Sequence, residues 1–268
     1  MPTGDTMWQT RLGIAALFAS SLLCVSAQAA DLRPAYKAAP PPAPVIYNWS
    51  GFYIGGFAGG AWGGDASTTD LNGWDVAGSR WSHGLDSSFI GGGTIGWNWQ
   101  AAGSPWVWGL EGEFGFINLE GLAANPLSLG PPPTVTTATV GDWYGFAGGR
   151  LGYAWDRTLL YAKGGAAFVN LNRATFTPGF LTASNDETLT TWAVGGGIEW
   201  AWINNWTFKI EYLFIDLKDA DVCGTAVGGG VGTFCFRHEL DSIHTLKAGL
   251  NYKFDWGKGP ASPVMARY

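Results

Sequence analysis

The chain has 268 residues, of which 41 are glycine and 16 tryptophan, while only 13% are charged. That is about half the ~25% charge of an ordinary soluble domain, with glycine at roughly twice its usual ~7%. A net charge of −6 lacks the basic footprint of a nucleic-acid binder, and no internal run reaches the ~18 apolar residues of a membrane helix.

In chain order, Arg11 precedes an apolar stretch from Leu12 to Ala27 that closes on Ala27-Gln28-Ala29. This reads as a signal peptide over 1–29, starting at Met1 or Met7. Cys24 lies inside it and follows Leu23 rather than the small residue a lipoprotein site needs. Residues 30–47, with Pro34, Pro40, Pro41, Pro42 and Pro44, cannot pair regularly. They read as an extended periplasmic tether, either a spacer or a segment that touches the cell wall.

From Asn48 the pattern alternates with period two, the signature of strands. Strand-like stretches fall near 50–63, 87–100, 105–118, 140–155, 158–170 and 241–254, with a hairpin over 188–216. The hairpin is the clearest. One face reads Trp192, Val194, Gly196, Ile198, Trp200, Trp202, then Trp206, Phe208, Ile210, Tyr212, Phe214. The other carries Ala193, Gly195, Gly197, Glu199, Thr207, Lys209 and Glu211. Pairing about Asn204 sets Glu199 against Lys209 and Gly196 against Tyr212. A wide aromatic face backed by a narrow charge-bearing one suits lipid outside and polar packing inside. The fold expected is all-β, an eight-stranded antiparallel up-and-down transmembrane β-barrel over 48–254, with a C-terminal periplasmic extension at 255–268.

Connections at 101–104, 156–157 and 203–205 are short, whereas those at 64–86, 119–139, 171–187 and 218–240 are long loops. Short periplasmic turns and long external loops put both termini in the periplasm. Aromatics form two belts. Trp97, Trp99, Trp106, Trp108, Trp155, Trp200, Trp202 and Trp206 lie by the short turns, and Trp62, Trp143, Trp192 and Phe214 lie by the long loops. Tyr252 and Phe254 share the lipid face of the last strand. The large apolar residues are thus expected to face lipid rather than the interior.

The inward charges are Glu111, Glu113, Arg150, Lys163, Glu199, Lys209, Glu211 and Lys247, four of each sign. Eight strands enclose only enough room for side chains, and unpaired buried charges are costly. These eight therefore read as an ion network plugging the lumen, with Glu199–Lys209 as its clearest pair. Glu111 and Glu113 also suit a catalytic carboxylate pair, but positions two apart on a strand fit network packing as well. Ser242 and His244 both face outward on the last strand, with no orienting acid on the lipid face. A nucleophile and base without an orienter make a weak catalytic set. The expectation is no enzyme, no metal and no cofactor, since His83, His238 and His244 lack metal-ligand spacing. Gly91-Gly92-Gly93 sits within a strand, so it is no phosphate loop. Cys223 and Cys235 flank a glycine run in the last long loop, and in an exported chain they are expected to form a disulfide.

Asn48-Trp49-Ser50-Gly51-Phe52-Tyr53-Ile54-Gly55 after a Pro-rich leader, with Ala248-Gly249-Leu250-Asn251-Tyr252-Lys253-Phe254 near the end, resembles the small alphaproteobacterial outer-membrane β-barrel family. That family is often labelled porin-like and shares the OmpA-type eight-stranded barrel. The resemblance implies the Gram-negative cell outer membrane, contact with its lipid and lipopolysaccharide, and delivery by the barrel-assembly machinery. It also implies an assembly signal on a terminal aromatic, either Phe254 read internally or Tyr268. Some relatives bind haem, for which His83 and His238 would be the axial ligands. The function expected is structural and surface-presenting, with the cell wall or a host surface as further partner; the alternatives are a channel for small solutes and a haem- or ligand-binding surface protein.

Overall fold

A computed structural model describes residues 47–203, 205–227 and 232–254. The signal peptide, all of the tether before residue 47, Asn204, Gly228-Gly229-Gly230 and the 255–268 extension lie outside the described residues.

Eight strands close the barrel: β1 (Gly51–Gly63), β4 (Ser88–Gln100), β5 (Trp106–Ile117), β7 (Val135–Trp155), β8 (Thr158–Thr177), β9 (Leu181–Ile203), β10 (Trp206–Asp216) and β13 (Ser242–Phe254). Each pairs antiparallel with the next, and β13 closes on β1 from Phe52↔Phe254 to Gly63↔Ile243. The β9–β10 register is the one the hairpin pattern predicts, with Lys209↔Glu199 and Tyr212↔Gly196.

The long connections are not loops. They hold five further strands: β2 (Asp65–Asp70), β3 (Arg80–Gly84), β6 (Leu119–Ala124), β11 (Ala220–Ala226) and β12 (Thr233–Leu240). In addition, β7 starts at 135 rather than 140, β8 runs to 177 rather than 170, and β9 starts at 181 rather than 188. Threonine-rich segments such as Thr136–Thr139 suit a pleated surface, and with β2, β3, β6, β11 and β12 beside them they find ladder partners. The wall therefore continues past the membrane-height barrel at the long-connection end. A register shift between Val140 and Tyr144, with Asp142 at a φ of 73°, marks where β7 passes from one part to the other.

The outer surface follows the alternation. Leu110 is 70% and Trp155 81% exposed, and the belt tryptophans on the other strands are likewise exposed or half-buried. Phe214, Tyr252 and Phe254 are half-buried against neighbouring rings: Phe214 tilts on Trp192, and Tyr252 meets Trp206 and Phe254 edge-on.

The interior corrects the expectation that large apolar residues face lipid alone. At the short-turn end Trp49, Val107, Leu159, Tyr161 and Ala201 cap the lumen. Beyond the charged layer a long apolar core fills the bore, including Phe57, Ile90, Ile117, Val140, Leu171, Leu213, Ile215 and Ile243. A third cluster of Trp81, Leu181, Ala183, Val222 and Phe236 fills the far end. These residues lie on inward positions of strands whose outward positions are equally apolar, so hydrophobicity alone does not separate the two faces. Inward glycines make the room. A Cβ on Gly92 would lie 2.5 Å from the Gly115 Cα and 2.9 Å from the Phe57 ring, and one on Gly96 would lie 2.3 Å from the Tyr53 hydroxyl.

Candidate functional site

The eight charges predicted to point inward meet in one layer, all buried. Glu111 and Glu113 come from β5, Arg150 from β7, Lys163 from β8, Glu199 from β9, Lys209 and Glu211 from β10, and Lys247 from β13. Lys163 Nζ lies 2.9 Å from Glu111, 2.8 Å from Glu113 and 2.6 Å from Glu211. Lys247 reaches Glu113 at 2.5 Å and Glu211 at 2.9 Å. Lys209 sits between Glu111, Glu113 and Glu211 at 3.6, 3.5 and 3.6 Å, ion-paired without a hydrogen bond. Arg150 bridges Glu111 at 3.1 Å and Glu199 at 2.6 Å.

Glu199 and Lys209 are register partners on adjacent strands, yet they are not an ion pair. Glu199 turns to Arg150, Thr207 and Asn251, and Lys209 turns to the other three carboxylates. Facing Cα positions on a strand pair set neighbours on the ladder, but a lumen this narrow lets side chains reach across the bore.

Tyrosines on the same face complete the layer. Tyr53 donates to Glu111 at 2.6 Å, Tyr144 to Glu113 at 2.6 Å and Tyr161 to Glu211 at 2.7 Å. Arg150 stacks over the Tyr161 ring at 4.3 Å, and Lys163 lies 4.6 Å from the Phe146 centroid. The sequence reading omitted these tyrosines, although their inward parity beside Phe52, Trp143 and Leu160 was available. Glu111, Glu113 and Glu211 bring carboxylate oxygens within 4.8 Å of one another, close enough for a metal ion. Three lysine ammoniums already occupy that place, so a divalent cation would meet like charge. Nor is the Glu111–Glu113 pair open to a substrate, since both side chains are fully enclosed.

The other candidates fall elsewhere. His244 accepts or donates at both nitrogens: Tyr212 Oη is 2.6 Å from Nδ1 and Ser242 Oγ 3.2 Å from Nε2, with Trp62 stacked at 5.9 Å. Ser242 lies on the same face of β13 as His244, but it is covered rather than open to lipid, at only 2% exposed, so its hydroxyl serves the hydrogen bond rather than a substrate. His83 and His238 are not loop residues. They lie on β3 and β12, facing inward and buried, and His238 Nε2 is 3.2 Å from Thr175 Oγ1. Burial, then Arg173 and His83, push the His238 ring down to about 3, and burial likewise lowers His83. Neither ring is presented as a surface ligand for haem. Gly91-Gly92-Gly93 lies inside β4. Cys223 and Cys235 face each other across β11 and β12 and are joined by a disulfide. Arg173, buried on β8 beyond residue 170, reaches Glu187 at 2.7 Å and the Lys218 carbonyl at 2.7 Å.

Comparison with known proteins places this geometry. Residues 15–254 match the family model described as outer membrane protein beta-barrel domain. The 31 kDa outer-membrane immunogenic proteins of Brucella melitensis biotype 1 and Brucella suis biovar 1 are each 35% identical over 254 residues, covering 90% of this chain and 97% of theirs. Among solved structures, the outer membrane protein OprG of Pseudomonas aeruginosa aligns with a TM-score of 0.52 at 15% identity, covering 76% of this chain and 97% of that one.

Proposed function

The chain belongs to the outer membrane protein beta-barrel domain family and so to the cell outer membrane, and from that premise we propose that it is a closed, non-enzymatic barrel with a structural and surface-presenting role. The observation that carries this reading is the charged layer. Four carboxylates and four cations fill the bore at membrane height, and an apolar core continues the seal above them. An open eight-stranded channel needs a hydrated bore, whereas here every lumen charge has a partner.

In this reading the short turns and both ends of the barrel domain face the periplasm, and the second tier of strands stands outside the cell. Residues 47 and 254 share the short-turn end, as Phe52↔Phe254 requires. The belts take lipid on the inner side and lipopolysaccharide on the outer, and the assembly machinery inserts the chain. The periplasmic tether serves as spacer or wall contact, and the outer tier presents a surface to the cell's surroundings. The Brucella relatives are described as immunogenic, which fits surface presentation.

Liposome swelling tests the closed bore. Vesicles carrying the protein should hold their volume in isotonic arabinose as protein-free vesicles do; rapid swelling would establish the solute channel instead. Protease added to intact cells should cut within 64–86 or 119–139 and spare the termini; cleavage confined to the termini would reverse the orientation.

A further inference from the structure

The far end of the outer tier carries four connections: 71–79 between β2 and β3, 125–134 between β6 and β7, 178–180 between β8 and β9, and the one from β11 to β12. Each holds an exposed apolar side chain. Leu71 and Val76 stand on the first, Leu127 and Leu129 on the second, Phe180 on the third and Val227 on the fourth. Single exposed apolar residues are ordinary on a surface, but a group of them at one end of a molecule marks an interaction site.

The tips are tied to one another. The Leu71 N–H donates to the Cys235 carbonyl at 3.0 Å, and the Asn72 side chain bonds the Thr233 carbonyl and the Cys235 N–H, each at 2.8 Å. Asp75 accepts from the Asn125 amide at 2.8 Å, the Ser128 hydroxyl at 3.3 Å and the Leu129 N–H at 3.2 Å. The Trp74 indole N–H donates to Thr177 Oγ1 at 2.7 Å, and the Val227 N–H to the Phe180 carbonyl at 2.6 Å. The apolar side chains therefore stand on one braced crown, opposite the short turns.

The polar groups of the crown are used internally. The Leu127 N–H donates to Asn125 Oδ1 and the Phe180 N–H to the Thr177 carbonyl. Leu71, Leu127, Leu129, Phe180 and Val227 thus all have a satisfied backbone donor, and Pro131, Pro132 and Pro133 have none to satisfy. Asp75 is the one charged residue in 71–79, 125–134, 178–180 and 227–232, and three donors take up its carboxylate. The rest of the outer tier is acidic. The stretches 64–88, 118–142, 170–190 and 216–242 hold 13 carboxylates against four lysines and arginines.

We propose that this crown is a docking surface for a second lipid bilayer with neutral headgroups, into whose interface the apolar side chains insert. Such a surface enters lipid readily, because the N–H groups beside the inserted side chains lose no water without a partner. A partner held by main-chain hydrogen bonds would find those same donors already taken. The acidic wall behind the crown opposes an anionic bilayer. A second copy in the same membrane points its crown the same way, so two crowns cannot meet face to face.

The crown must face away from the cell to meet another membrane, so the inference rests on the orientation proposed above. A nanodisc leaves both ends of the barrel open to solution, so it reads the crown regardless of orientation and keeps the two failures apart. Full-length protein in nanodiscs is mixed with phosphatidylcholine vesicles and floated on a density gradient. Loaded discs should float with the vesicles, and empty discs should not. Leu129→Ser should weaken vesicle binding about fivefold or more. Leu127→Ser, Leu129→Ser and Phe180→Ser combined should bring it to the level of empty discs. All three positions are exposed, and an unboiled gel band matching the wild type confirms that the barrel forms. Flotation no better than that of empty discs overturns the proposal, and so does flotation that the serine variants leave unchanged. Tighter binding to phosphatidylglycerol vesicles overturns it too, since charge would then select the surface. Loaded discs that pair with one another and not with vesicles would overturn it in favour of a second copy.

Discussion

The bore of this protein is filled in two different ways. At membrane height it is filled by Glu111, Glu113, Glu199 and Glu211 with Arg150, Lys163, Lys209 and Lys247, in contacts of 2.5 to 3.6 Å. Above, it is filled by Ile90, Ile117, Leu213, Ile215, Ile243 and their neighbours, then by a threonine–histidine layer that includes Thr136, Thr175 and His238. The first seal is specific and intolerant: each charge is dry and held by several partners, so removing one leaves others uncompensated. The second is graded, since an apolar core loses stability roughly in proportion to the methylenes removed. The contrast teaches that the outer tier can vary in composition while the ionic layer cannot lose a member.

Substitutions should separate the two seals. Lys163→Met removes the cation shared by Glu111, Glu113 and Glu211, and should cost about 3–5 kcal/mol, read as a lower temperature for loss of the fast-migrating unboiled gel band. A loss below 1 kcal/mol would mean the network is hydrated and the distinction between seals fails. Acid should act on the outer tier. His238 is neutral when folded, with its pKa near 3, against ~6.5 when unfolded. The unfolded chain therefore binds more protons throughout that window, and stability falls as pH drops from about 6.5 toward 3. At pH 4 the loss is on the order of 3 kcal/mol, and His238→Gln should abolish most of it. Hydrogen exchange of β2, β3 and β12 amides at pH 4 and 7 is the measurement; unchanged protection would show that the ring is not dry. Ile243→Val, a single methylene in the apolar core, should cost only ~0.5–1.5 kcal/mol in a urea titration. Smallest of all, Arg237→Ala deletes an exposed pair with Asp221 and should leave the urea midpoint almost unchanged. A value as large as that for Lys163→Met would erase the difference between surface and lumen.

The barrel strands were legible because lipid outside and a charged lumen inside impose opposite chemistries on alternating residues. Trp200 beside Glu199, or Phe208 beside Lys209, leaves no doubt about which way each points. The same alternation names the charges of the site, but not who pairs with whom, because Glu199 reaches Arg150 across the bore instead of Lys209 beside it. The outer tier was hidden for a related reason. Its inward faces mix threonine and histidine, as in Thr68, Thr134, Thr136 and His238, with apolar residues such as Trp81, Val222 and Phe236, so no single chemistry marks the inward positions. Its strands also borrow partners far along the chain, such as β12 on β2 with His238↔Thr68, which no local pattern records. Ser242 follows the alternation outward yet is buried, at the first position of β13 with its hydroxyl against the His244 ring.

The account turns on the bore being shut, and single-channel conductance of the purified protein in a planar bilayer reads that most directly. The wild type should show no stable open level, while Lys163→Met should, if anything, add brief flickering. A large, long-lived open state in the wild type would contradict the closed-barrel account and make the charged layer a selectivity element of a channel.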